Sequence, residues 1–301
     1  MFNGRFEMSN MRATAWPLLL VLALPLSAPA QDSLATIKVN VRLVEVYATV
    51  LDHKGKYVDG LRRDDFKVLE DGKPQRISIF ENNADALSCA VLLDTTGSMR
   101  EALPRVKNSV SKLIDELTPQ DSVAIYTFDE HLTIRQDFTS DKDAAKRAVL
   151  RTRAGGNTAL FDALSEASEE LAKRPGKKAL IVFTDGDDNS SLLTAGGAIA
   201  HAKKVGIPLY AIAEGEATHS AELSKVLNEL SENTGGVAYK VKKPDEIEEI
   251  FQTVASNLRH LYLMSYKPES EGADGRWRKI DILVSGVENY RLRAKQGYFP
   301  Q

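Results

Sequence analysis

Three short stretches of this chain carry oxygen donors in a pattern that suits a metal ion. They are Asp94-Thr95-Thr96-Gly97-Ser98, Gly155-Gly156-Asn157-Thr158 and Thr184-Asp185-Gly186. Together they supply two carboxylates, Asp94 and Asp185, and three hydroxyls, Thr96, Ser98 and Thr158. All of these donors are hard oxygens, so the matching ion is a hard divalent cation: Mg2+ first, then Mn2+ or Ca2+. The i, i+2, i+4 spacing of Asp94, Thr96 and Ser98 converges if the loop wraps around one point, and Gly97 relaxes the backbone there. Two carboxylates just neutralise such an ion and the hydroxyls add no charge. The ion therefore keeps affinity for an external anion, and a carboxylate of a partner protein can complete its shell.

A rival chemistry starts from the same residues. A haloacid dehalogenase-type phosphatase also has an apolar strand ending in Asp, and Gly186-Asp187-Asp188 looks like its later acidic motif. That reaction needs a second carboxylate two residues after the nucleophile, and Thr96 occupies the place. Asp187 and Asp188 read better as a solvated turn, and Asp129-Glu130 as a hairpin turn. Dinucleotide binding fails because the first strand-to-helix turn has one glycine where GxGxxG needs three, and there is no P-loop. Cys89 lies inside an apolar strand and reads as core. Trp277 reads as a strand-packing aromatic.

The elements that must position these loops alternate. Apolar runs at Leu87–Leu93, Ser122–Phe128, Ala179–Phe183, Ile207–Ala213 and Val237–Lys240 read as strands. Amphipathic stretches at Glu101–Leu117, Asp141–Thr152, Leu160–Lys173, Leu193–Val205, Ser220–Asn233 and Asp245–Arg259 read as helices. This order predicts an α/β fold: a doubly wound, mostly parallel sheet covered on both faces, with ligands beyond the carboxyl ends of its strands. Residues 31–86 and 261–301 read as β instead. In the first piece, Phe66–Glu70 and Gln75–Phe80 flank a hairpin turn at Asp71-Gly72-Lys73-Pro74, and a phase shift in the apolar alternation after Leu43 suggests a bulge. Neither piece is large enough for a comfortable core. The expectation is one small β module built from both ends, with the domain at 87–260 inserted between them.

Composition narrows the function. The 301 residues carry 39 Lys+Arg against 42 Asp+Glu, which excludes a binder held mainly by nucleic-acid phosphates. A single cysteine excludes a disulfide framework and a cysteine zinc cluster, and the five histidines lack metal spacing. Residues 1–30 read as a secretory signal peptide: Arg12, the apolar run Pro17–Leu26, then Ala28-Pro29-Ala30 with cleavage expected after Ala30. No later stretch is long and apolar enough for a transmembrane helix. The expected location is periplasmic or extracellular.

The site residues resemble the von Willebrand factor A domain with its metal-ion-dependent adhesion site, whose pattern is Asp-x-Ser-x-Ser, a distant Thr and a later Thr-Asp-Gly. The resemblance covers about residues 87–260, and Asp94, Thr96, Ser98, Thr158 and Asp185 meet the pattern with one departure, Thr96 for the first Ser. It implies direct coordination by Thr96, Ser98 and Thr158, with Asp94 and Asp185 acting partly through water. The flanks resemble a bacterial group of von Willebrand factor A-related proteins best known from acidobacteria, through Val58-Asp59-Gly60-Leu61, Asp65–Gly72, Tyr266-Lys267-Pro268, Gly275–Ile280 and Gly297-Tyr298-Phe299. The expected function is capture of a partner's acidic side chain through the metal, without catalysis. The alternative is a phosphatase-like, metal-dependent hydrolase using the same loops.

Overall fold

The computed structural model describes residues 43–269 and 275–300. The expected signal peptide and the start of the expected first strand lie outside the described residues. In chain order the first strands are β1 (Val44–Leu51), β2 (Phe66–Glu70), β3 (Lys73–Gln75) and β4 (Ile77–Glu81). An alternating stretch follows: β5 (Leu87–Asp94), α1 (Leu103–Glu116), β6 (Ser122–Phe128), β7 (Leu132–Thr139), α2 (Lys142–Leu150), α3 (Leu160–Ala172), β8 (Lys177–Thr184) and α4 (Ala195–Val205). It continues with β9 (Leu209–Ala213), α5 (Glu216–His219), α6 (Ala221–Thr234), β10 (Val237–Lys240) and α7 (Glu246–Arg259). The last strands are β11 (Tyr262–Tyr266), β12 (Arg278–Val284), β13 (Arg291–Ala294) and β14 (Gly297–Tyr298).

The central sheet has six strands in the order β10-β9-β8-β5-β6-β7. All neighbours run parallel except the edge pair β6–β7. Every residue of β5 and β8 is buried, as strands covered on both faces require. Cys89, Val91 and Leu93 turn to a core built with α1, α2 and α7. Ala90 and Leu92 turn to a second core built with α3 and α6, against which α4 packs. Local chemistry sets the helix ends. The Ser220 hydroxyl accepts the Leu223 N–H at 3.1 Å to start α6, and Gly235, at φ 84°, ends it in a left-handed turn.

Two further four-stranded sheets, β13-β1-β11-β4 and β14-β12-β2-β3, draw their strands from both ends of the described chain. They share one core: Val44, Val46, Ala48 and Val50 of β1 meet Phe66 and Val68 of β2, Tyr262, Met264 and Tyr266 of β11, and Ile280, Ile282 and Val284 of β12. The buried Glu70 adds a polar tie, because its Oε2 accepts from the hydroxyls of Tyr266 (2.7 Å) and Tyr298 (2.9 Å).

The structure departs from the sequence reading in three places. The hairpin turn is two residues, Asp71-Gly72, with φ of 48° and 79°. Its returning strand is β3, with Pro74 opposite Leu69 at a sheet edge where a missing N–H costs nothing. Residues 77–81 are not part of that hairpin: β4 pairs with β11 in the other sheet. Strand β7, the return of the hairpin turn read at Asp129-Glu130, and the short helix α5 are absent from the strands and helices expected from the sequence.

Candidate metal centre

The three donor loops meet at the carboxyl ends of β5 and β8. In the first loop the intervening residues act as anchors. The Thr95 N–H and hydroxyl both donate to Phe128 O, at 2.9 and 3.0 Å, and the Met99 side chain is wholly buried. That leaves Asp94, Thr96 and Ser98 to face the same point. The Asp94 carboxylate is fully buried, and its Oδ1 accepts the Thr96 N–H at 2.9 Å while Oδ2 accepts the Thr184 hydroxyl at 2.8 Å. Thr96 Oγ1 lies 3.0 Å from Ser98 Oγ, and the Ser98 hydroxyl also lies 2.8 Å from Asp185 Oδ1.

The second loop is bound to the first and the third. Gly155 N–H donates to Thr95 O at 2.7 Å, and Gly97 N–H to Gly156 O at 3.3 Å. Thr158 is 4% exposed; its N–H donates to Asn189 Oδ1 at 3.0 Å, and its carbonyl accepts from Asn189 and Ser190. A methyl group on Gly186 would lie 3.9 Å from Ser98 Oγ and 4.0 Å from Thr158 Oγ1, so these two hydroxyls converge over Gly186. Of the five donors expected from the sequence, hydrogen bonds join Asp94, Thr96, Ser98 and Asp185 into one cluster, and the Thr158 hydroxyl lies within van der Waals distance of the same methyl position on Gly186.

The two carboxylates of the cluster, Asp94 and Asp185, are both buried. Burial raises Asp94 above the usual carboxylate range, and it raises Asp185 to about 6, with Asp94 and Glu214 adding like-charge repulsion. Among the described residues, no basic side chain is hydrogen-bonded to either carboxylate. Two buried acids with hydroxyl and amide partners alone form a site that a divalent cation would neutralise, so the donor set fits a hard ion. Among the described residues no three His, Cys, Asp or Glu side chains gather as a metal cluster, so an ion here must use the hydroxyls.

Other candidates take structural roles. Asp188 is not a solvated turn: its carboxylate accepts the N–H groups of Phe161 (2.9 Å) and Ser191 (3.1 Å), fixing the third loop to the start of α3. Asp162 of α3 completes the tie by accepting from Leu192 and Leu193. Asp129-Glu130 lies in the β6–β7 turn, with Glu130 Oε1 accepting from Asn157 at 2.7 Å. Cys89 is buried in β5 and its thiol is pushed up by burial. Trp277 packs edge-on against Phe299, ring centroids 5.0 Å apart. The sequence reading missed Glu214 beside Asp185, a polar residue with no motif around it.

No curated protein sequence matches the chain. Among solved structures, the fold is similar to a von Willebrand factor type A protein from Catenulispora acidiphila, with 15% identity and a TM-score of 0.53 over 76% of this chain and 71% of that one. It is also similar to proximal thread matrix protein 1 of the mussel byssus, with 19% identity and a TM-score of 0.52 over 63% of this chain and 51% of that one. Residues 89–253, more than half of the chain, match the von Willebrand factor type A domain. The chain belongs to the von Willebrand factor type A domain family.

Proposed function

We propose that this protein is an exported, metal-dependent protein-binding module that captures an acidic side chain of a partner and catalyses no reaction. The reading is supported above all by one observation: two buried carboxylates, Asp94 and Asp185, joined with the hydroxyls of Thr96, Ser98 and Thr158 and with no basic side chain in their hydrogen bonds. Those five residues would hold Mg2+, Mn2+ or Ca2+ as a metal-ion-dependent adhesion site, and the ion would supply a Lewis-acidic contact for an incoming carboxylate. The protein's own share is to keep that contact exposed at one end of a rigid sheet. The hydrolase reading is weaker, because Thr96 stands where an acid/base carboxylate is required and its hydroxyl is engaged with Ser98. Among the described residues, no helix is long and apolar enough to cross a membrane. With the signal-like stretch at 1–30, the reading places the protein in the periplasm or outside the cell, as a member of the bacterial group its flanks resemble.

The decisive measurement is a thermal melt in Mg2+ and in EDTA. A ligand at a hundredfold excess over Kd stabilises the native state by about 2.7 kcal/mol, so the melting temperature rises by roughly 5–10 °C. Ser98→Ala and Asp185→Ala are expected to remain folded and to lose that rise. Identical wild-type melts in both buffers would remove the metal reading. Affinity capture from the native envelope fraction, with Mg2+ and with chelator side by side, then tests the partner, whose retention should need the metal.

A further inference from the structure

Glu214 is 9% exposed and follows directly on β9. Thr184 and Ala213 are register partners, and Glu214 N–H donates to Thr184 O at 3.0 Å, so Glu214 stands beside Asp185 on the neighbouring strand end. The alternation along both strands sends these two side chains the same way. Phe183 and Ile212 belong to the core under α1, Thr184 and Ala213 turn away, and Asp185 and Glu214 turn back. Their contacts agree: Asp185 meets Ser98 in the loop leading to α1, and Glu214 meets Arg105 on α1. Gly215, at φ 59°, then folds the chain back so that Ala217 N–H reaches Asp185 O at 3.0 Å.

The two oxygens of Glu214 differ. Oε1 accepts from Arg105 Nη2 at 3.0 Å. Oε2 is buried and has no hydrogen-bond partner among the described residues. A buried carboxylate oxygen without a donor is costly, and a carboxylate that served only to anchor Arg105 has no need to bury one. Arg105 is itself two-fifths exposed and also donates to Glu101 O, so its charge does not depend on a buried partner. That oxygen belongs to the residue whose backbone neighbours Asp185, a carboxylate of the candidate metal centre, yet no three acidic side chains among the described residues gather closely enough to share an ion directly.

We infer that Glu214 is an outer carboxylate of the metal centre: Oε2 accepts a hydrogen bond from the hydration shell of a cation held by Asp94, Thr96, Ser98, Thr158 and Asp185, while Arg105 holds Oε1 in place. Glu214 is thus a positioning residue, and the inference rests on the metal reading above. Its ligand class is a hydrated hard divalent cation. Because Arg105 offsets part of its charge, Glu214 orients the shell at little cost to the ion's attraction for an acidic partner.

The test is calorimetric titration of the purified chain with Mg2+, with melts in EDTA as a stability control. The double variant Arg105→Met/Glu214→Leu removes the acceptor and keeps the net charge. It is expected to melt in EDTA close to the wild-type temperature, since an ion pair with a partly exposed arginine contributes little to stability. Its Mg2+ affinity should fall about tenfold, as for other outer-shell partners. Single variants cover the case in which the double variant does not fold. Glu214→Gln should bind Mg2+ more weakly, and Arg105→Gln, which leaves a net negative charge, more tightly. If Glu214 only anchors α1, both single variants melt earlier in EDTA and all variants keep wild-type affinity, which overturns the inference while Asp185→Ala still abolishes binding. A wild-type chain that takes up no Mg2+ overturns the inference together with the metal reading.

Discussion

Lys295 shows how one side chain writes a pH dependence into the fold. It is 5% exposed, and its Nζ lies 5.8 Å from the centre of the Tyr298 ring. A methyl on Gly206 would collide with it, so the ammonium is packed against backbone. Burial lowers its pKa from 10.5 to about 8, against a smaller opposing pull from Glu45. The unfolded chain therefore binds this proton more tightly than the folded one. Stability rises as pH climbs from about 8 to 10.5. Below 8 the full cost is present, about 3 kcal/mol at roughly 1.4 kcal/mol per pKa unit. Lys295→Met is expected to be about 2–3 kcal/mol more stable than wild type at pH 7, with the gap closing by about pH 10. Urea unfolding at a series of pH values checks it, and a gap constant with pH would reject burial of the charge as its source. At this scale the sequence was informative only where spacing carried chemistry. Asp94, Thr96 and Ser98 announce themselves by their two-residue rhythm and Asp185 by its place after an apolar strand. Glu214 also follows an apolar strand, but nothing along the chain distinguishes it from an ordinary polar strand end, and only the lateral register with Asp185 reveals it.

Elements place the loops, and the loop that carries Thr158 depends on one glycine more than its neighbour. Gly156 has φ 91°, and a methyl there would sit 2.8 Å from Asp129 Cβ. A methyl on Gly155 would meet nothing within 4 Å, and the φ there is not left-handed. Gly156→Ala should therefore cost about 1–3 kcal/mol and, by shifting Thr158, shrink the Mg2+-induced rise in melting temperature. Gly155→Ala should be neutral or slightly stabilising. Equal effects of the two substitutions would show that the turn does not set the donor's position. The elements legible in the sequence were those with a long buried period, such as β5, β8 and α7. The hairpin turn at Asp129-Glu130 was legible but the extent of strand β7 after it was not, because it is an edge strand: Ile134 is 49% exposed, Gln136 breaks the apolar alternation, and the pairing with β6 is irregular. The split of residues 73–81 between two sheets was equally hidden, since a single residue, Arg76, separates β3 from β4.

At the scale of the whole molecule, the end of the central sheet opposite the donor loops is bound into the sheet β13-β1-β11-β4. Lys178, at the start of β8, is buried, and its Nζ donates to Glu45 Oε1 of β1 at 3.0 Å and to the carbonyls of Arg174 and Gly176. Glu45 Oε2 accepts the Tyr47 hydroxyl at 2.9 Å, and Tyr47 packs with Leu261 and Leu263. Glu81 of β4 accepts the Lys177 N–H at 3.0 Å. Beside them, Arg293 of β13 donates to Asn257 of α7 at 2.9 Å. Charged and apolar contacts so interleaved cannot be exposed one part at a time without stranding a buried lysine, so the two β sheets and the A domain are expected to unfold together. Calorimetry of the wild type should show one transition, and Mg2+ should raise the whole of it, because a ligand that binds only the native state stabilises every element that unfolds with its site. Glu45→Ala leaves Lys178 with two carbonyls and no counter-charge, and removing one partner of a buried pair costs about 3–5 kcal/mol. Partial exposure of Glu45 puts this case at the low end of that range. The loss falls on the joint, so the variant should unfold in two steps, and Mg2+ should raise only the step that includes the A domain. A single transition in Glu45→Ala, raised intact by Mg2+, would mean that the apolar contacts around Tyr47 are enough to couple the two parts and that the ion pair is dispensable for cooperativity.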